Sequence, residues 1–234
     1  MQKKLLLIAC IIMSNFALHA QEAKPSLGHS INLQLGSFGY GIGLAQQLKP
    51  QGLNVRLSVD FLDVNSFISP PLKVKISGGD DVLISPKVTS LLIGAKVDFH
   101  PFKTKSFKLV GGLSYGSGDF SVSIEPSVKT GKFKLTKDVE LDAEDFGTAK
   151  LTVAGGNIRP YLGLGFGRAV PKGRVGFSLD LGAYYSGSPK LTVDRTGLIK
   201  SVLTDQNIAD IEKNISGYSF LPNLTFSLTY KISK

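Results

Sequence analysis

The chain has 234 residues, a formal charge of +9 and a hydrophobic content of 42%. No apolar run reaches the roughly 20 residues of a membrane-crossing helix, which excludes a helical membrane protein. A single cysteine, Cys10, excludes a disulfide framework, and the moderate, scattered basic excess suits anionic lipid headgroups better than nucleic acid.

Met1-Gln2-Lys3-Lys4 precedes an apolar run from Leu5 to Met13, and Ala17-Leu18-His19-Ala20 follows. A basic start, a short apolar centre and a small final residue make residues 1–20 a cleaved secretory signal peptide. Leu7-Ile8-Ala9-Cys10 resembles a lipoprotein box, but the apolar run continues past Cys10. Cleavage after Ala20 leaves a mature chain without cysteine and, two lysines fewer, with a charge of +7. Residues 21–28 are expected to be a flexible mature start, and residues 29–234 one domain.

That domain reads as β-strands, because apolar residues recur at every second position. In the first run Ile31, Leu33 and Leu35 face away from Asn32 and Gln34. In the second, Tyr40, Ile42 and Leu44 oppose Gly41, Gly43 and Ala45. Ser37-Phe38-Gly39 between them is very short, so residues 29–48 are either two strands or one long bent strand. Lys49-Pro50-Gln51-Gly52 is a turn. The third run sets Leu53, Val55, Leu57, Val59 and Phe61 against Asn54, Arg56, Ser58 and Asp60. Within the longer connection 67–87, segments 72–76 and 82–85 are expected to form a hairpin beyond the membrane.

The fourth run sets Leu91, Ile93, Ala95, Val97 and Phe99 against Leu92, Gly94, Lys96 and Asp98. The turn 100–105 leads to the fifth, with Phe107, Leu109, Gly111, Leu113 and Tyr115 against Lys108, Val110, Gly112 and Ser114. In the long connection that follows, 121–128 and 132–141 are expected to pair around Lys129-Thr130-Gly131. Residues 157–185 hold the sixth and seventh strands around Val170-Pro171-Lys172-Gly173. Leu162, Leu164, Phe166, Phe177 and Leu179 share an outer face there, and the glycines and Asp180 an inner one. Residues 198–214 have helical spacing of Leu198, Val202, Ile208 and Ile211, which predicts one or two short amphipathic helical pieces. The last strand alternates from Pro222 to Ile232.

The expected architecture is all-β: an eight-stranded antiparallel up-and-down transmembrane β-barrel, with long extracellular loops and a short helix before the last strand. Short connections alternate with long ones, as turns and external loops do in outer-membrane barrels. A soluble up-and-down barrel shares the alternation. Its exterior would carry far more Lys and Glu than the Gly, Ser, Thr and Asn of the second face here. Glycine, with 26 copies, fits the inner wall of a narrow barrel. Aromatic residues near strand ends, such as Tyr40, Phe61, Phe99 and Tyr230, fit interfacial girdles.

Arg159-Pro160-Tyr161-Leu162-Gly163-Leu164-Gly165-Phe166-Gly167, with Gly176-Phe177-Ser178-Leu179-Asp180-Leu181-Gly182, resembles the late hairpin of small Gram-negative outer-membrane barrels. These are the opacity proteins and the barrel of outer membrane protein A, a porin-like group. Val97-Asp98-Phe99-His100-Pro101-Phe102 is similar to their strand-end turn. The resemblance implies residence in the outer membrane of a Gram-negative bacterium, outer-membrane lipid as surroundings, and insertion by the barrel-insertion machinery. Many such proteins end on an aromatic residue that this machinery reads. Tyr230-Lys231-Ile232-Ser233-Lys234 departs from that pattern, which implies a displaced or weaker signal.

The chemistry expected is modest. Gly163-Leu164-Gly165-Phe166-Gly167 mimics a phosphate loop but alternates within a strand, whereas a phosphate loop opens a helix. His29 and His100, the two histidines after residue 20, lack the base–nucleophile–carboxylate arrangement of a triad. No His/Asp/Glu cluster has metal-ligand spacing, and no cofactor is expected. Arg56, Asp60, Lys96, Asp98, Lys108 and Asp180, with Lys231, all fall on the inner face. Asp98 and Lys108 stand at similar heights above the turn that joins their strands. Charges in a narrow lumen must be paired or hydrated. They therefore form either a salt-bridge plug or the gate of a narrow path for ions or small solutes. The function expected is non-enzymatic: a structural or surface-interaction role, with loops 67–87, 117–156 and 186–217 meeting a surface ligand and no nucleic acid. The alternatives are a narrow pore and a barrel enzyme acting on lipid A or peptides.

Overall fold

A computed structural model describes residues 27–49, 52–64, 71–75, 79–102, 106–128, 130–136 and 139–232. The signal peptide 1–20 and the mature start up to residue 26 lie outside the described residues. The long strands are β1 (His29–Gly36), β2 (Gly39–Lys49), β3 (Leu53–Asp63), β5 (Asp81–Phe99), β6 (Phe107–Pro126), β10 (Ile158–Gly167), β11 (Val175–Tyr185) and β13 (Phe220–Lys231). All their ladders are antiparallel. Followed from strand to strand, they run from β6 through β10, β11, β13, β1, β2, β3 and β5, and β5 pairs with β6 again.

Residues 29–48 form two strands, joined through Ser37-Phe38, with Gly36 opposite Gly39. Gly39 takes φ of 96°, a conformation that glycine adopts without steric cost in a two-residue hairpin.

Alternation puts the polar face inside. Along β1 the buried residues are Ser30, Asn32 and Gln34, while Ile31, Leu33 and Leu35 are exposed on the outside. Leu162 is 77% and Phe177 75% exposed, whereas Asp98, Lys108 and Asp180 are 0%. No helix among the described residues is long and apolar enough to cross a membrane, which says nothing about strands.

Five shorter strands build a crest above the long connections. They are β4 (Leu72–Lys75), β7 (Lys132–Thr136), β8 (Val139–Asp142), β9 (Ala149–Ala154) and β12 (Lys190–Arg195). β4 and the start of β5 form the hairpin expected there, with Leu72 opposite Ile84 and Lys75 opposite Asp81. The pairing expected between 121–128 and 132–141 is not formed. Residues 119–124 belong to β6, held between β5 and β9, and β7 pairs with β8. The β5–β6 ladder simply continues upward, because Phe120, Val122 and Ile124 keep the period of the strand below. Each added pair then costs little new chain entropy.

Three short helices complete the crest: α1 (Ala143–Phe146), α2 (Ile199–Val202) and α3 (Asp205–Ile215). The sequence spacing anticipates the last two but not α1, nor β9 and β12. The break after α2 comes where the Thr204 hydroxyl accepts the Asn207 N–H at 3.3 Å and caps α3. Val82, Phe133, Ala143 and Phe146 form a buried apolar cluster with Ile124, Leu135, Leu141 and Ile199 packed on it. The Phe133 and Phe146 rings lie 4.5 Å apart. The crest therefore has a hydrophobic core of its own.

Candidate functional site: charges and aromatics layered on the inner face

At the end with the short turns, β10 leads into a connection that folds inward. Ala169 and Val170 are buried against Ala45, and the Ser30 hydroxyl donates to the Ala169 carbonyl at 2.6 Å. Beside them His100 is 3% exposed. Its Nε2 lies 3.3 Å from the Gly167 carbonyl, while Nδ1 has no partner among the described residues. Burial holds the His100 pKa below its ordinary value, an effect only partly offset by that hydrogen bond.

Above this base lie four charges from four strands. Arg56 on β3 reaches Asp98 on β5 and Asp180 on β11, each at 2.7 Å. Lys108 on β6 reaches the same two carboxylates at 3.2 and 2.7 Å. Each cation touches both anions, so the quartet is neutral and closed, and all four side chains are at most 3% exposed. Such geometry offsets the large cost of removing charges from water. Gly165 makes room for it: a Cβ there would stand 2.6 Å from Lys108 Cε and would also strike Asp180.

The next layer is aromatic and polar. Lys96 has its Nζ 4.3 Å from the Tyr161 ring centre and 5.3 Å from that of Tyr184, a cation–π arrangement. Asp60 accepts a hydrogen bond from Ser58 at 3.1 Å. Tyr161 lies across Gly163 and Gly182, where a Cβ would come within 2.7 and 2.6 Å of its hydroxyl. Phe38, from the tight β1–β2 turn, packs edge-on against Tyr184 at 5.1 Å. The cavity bounded by Phe38, Asp60, Lys96, Tyr184, Asn223 and Thr225 measures about 10 Å³, the room of one water molecule.

Of the inner charges expected from sequence, Arg56, Asp98, Lys108 and Asp180 are thus brought together. Asp60 and Lys96 sit one layer above them. Lys231 lies apart at the short-turn end, beside Gly28. Asn223 lies on the inner face expected for the last strand; sequence reasoning missed Arg159 and Tyr184, both 2% exposed. Each falls on the inner face when the alternation is carried two residues further along its strand. Arg159 donates from Nε to the Gly156 carbonyl at 2.9 Å and forms no ion pair among the described residues.

The sequence matches no protein-family model and no curated protein. Its structure is similar to two crystal structures of outer membrane proteins from Acinetobacter baumannii. CarO superposes with a TM-score of 0.57 at 18% identity, over 86% of this chain and 96% of CarO. CarO2 does so with a TM-score of 0.58 at 17% identity, over 88% of this chain and 100% of CarO2. The likeness is one of fold: this all-β antiparallel wall has the fold of small outer-membrane β-barrel proteins.

Proposed function

We propose that this chain is a non-enzymatic protein of the Gram-negative outer membrane. It spans the bilayer as an eight-stranded closed barrel with a sealed lumen, and it presents the crest, spanning loops 67–87, 117–156 and 186–217, to partners outside the cell. The observation that carries this reading is the inverted wall. Buried charges line the inside, and Leu162, Phe177, Leu181, Phe166 and Phe226 stand exposed on the outside at 59% or more. In water such a surface aggregates; in lipid it is the required one. The signal peptide 1–20 supplies export and the barrel-insertion machinery the assembly.

The neutral quartet and the single-water cavity favour a plug over a pore. Planar-bilayer recordings of the reconstituted protein are expected to show no steady conductance; regular current steps overturn the sealed lumen. Lipid A and peptide substrates are expected to emerge unmodified from incubation with it. Orientation is read with single cysteines at Val139 in the crest and Lys172 in a short turn. In intact cells an impermeant maleimide is expected to label V139C and not K172C. The reverse pattern overturns the placement of the crest.

A further inference from the structure

The crest wall continues the inner face of the barrel upward. By register, Val88, Phe120, Val153 and Leu191 stand in one row across β5, β6, β9 and β12, and Val122 and Leu151 belong to the row above. The row below is Ser90 and Gly118. Alternation places all of these on the face that carries Lys96 and Ser114 lower down. Phe120 is 46% exposed at the middle of the apolar rows. Across from them, β1 and β2 end at the tight turn Ser37-Phe38.

At the foot of these rows lies a buried cation without a contact ion pair among the described residues. Arg159 is 2% exposed and Ser90 6%; the Ser90 hydroxyl has no hydrogen-bond partner, and Arg159 has no carboxylate at ion-pair distance among the described residues. Asp119, next in sequence to Gly118, is exposed and acts on Arg159 only from beyond ion-pair distance. The guanidinium and the hydroxyl converge on Gly118, where a Cβ would lie 3.0 and 3.2 Å from the two terminal nitrogens of Arg159 and 3.2 Å from Ser90 Oγ. A buried unpaired cation is costly unless an anion completes it.

We propose that this mouth binds a singly charged anionic amphiphile, a fatty-acid-like carboxylate. Its head group rests on Arg159 and Ser90, and its hydrocarbon chain lies against Val88, Phe120 and Val153. One guanidinium matches one negative charge. From Ser90 to Pro86 the wall rises roughly 13 Å at the usual advance per strand residue, enough for a medium-length chain. The proposal rests on the membrane-barrel reading but not on what the crest contacts.

The test is equilibrium binding of radiolabelled dodecanoate to the full mature chain in zwitterionic nanodiscs. Folding of every variant is checked by its heat-dependent mobility on gels, which separates loss of the site from loss of the barrel. The expected result is saturable binding near one per chain, displaced by neither dodecanol nor acetate. Arg159→Gln and, independently, Gly118→Ala are expected to weaken it at least about tenfold. Phe120→Asn is expected to weaken it several-fold, while leaving the charge in place. Absence of saturable binding overturns the proposal, as do parental affinities in both Arg159→Gln and Gly118→Ala. Dodecanol competing equally would show mere partitioning into apolar surface, and acetate competing equally an anion site without the apolar wall; either result overturns the amphiphile. Should Arg159→Gln fail to fold, Gly118→Ala decides alone.

Discussion

The two ends of the lumen hold buried cations under different terms. Toward the short turns, Arg56 and Lys108 each touch both Asp98 and Asp180 at 2.7–3.2 Å. Toward the crest, Lys96 rests on tyrosine rings, and Arg159 has a backbone carbonyl but no carboxylate. The first arrangement is electrostatically complete and leaves nothing for a ligand. The second is incomplete, beside an apolar wall. Pairing, rather than the mere presence of charge, is what separates the two ends.

The comparison breaks most sharply at Asp180. Asp180→Ala leaves two buried cations sharing one carboxylate, and the expected loss is about 3–5 kcal/mol, read as a lower urea midpoint for unfolding from vesicles. An unchanged midpoint would mean that the quartet is hydrated. Phe133→Ala is expected to cost about 3–5 kcal/mol within the crest alone. Limited proteolysis should then cut the crest while the barrel stays protected; unfolding of both together would show one cooperative unit. Gly165→Ala crowds Lys108 and Asp180 and is expected to lose about 1–3 kcal/mol in the same urea assay.

Arg159→Met should go the other way from Asp180→Ala. It removes a buried charge that has no contact ion pair among the described residues, and stability is expected to change by less than about 1 kcal/mol or to rise. A loss as large as that of Asp180→Ala would show that Arg159 is paired after all. The smallest effect is that of pH at His100. Its pKa is lowered by burial, so the unfolded chain takes up the proton first as pH falls. The contribution is complete above the ordinary histidine pKa of about 6.5 and declines as pH drops below that toward the lowered value. His100→Asn is expected to flatten the midpoint-against-pH curve in that window.

The period of two made the wall legible in the sequence, since each inner and outer residue is fixed by parity alone. Asp98 and Lys108 could be placed at one height because a short turn joins their strands. Arg56 and Asp180 could not, because their height depends on the shear of ladders several strands apart. The crest was harder to read. Residues 121–128 looked like the arm of a local hairpin, and only the competition between partners assigned them to β5 and β9. Parity puts Arg159 on the inner face, but its depth and its lack of a contact carboxylate depend on the register of β10 with β6.

The sequence by itself therefore determined that the chain is a wall of alternating strands, with glycine, hydroxyls and a few charges on one face. That information is local and repeats every two residues. Tertiary structure alone decided that four of those charges close into a neutral quartet and that Phe38 and Val170 pack inward at the two ends. It also decided that Arg159 is left without a contact ion pair among the described residues, beneath an apolar crest. Those outcomes depend on register between distant strands, which no periodicity within one strand encodes.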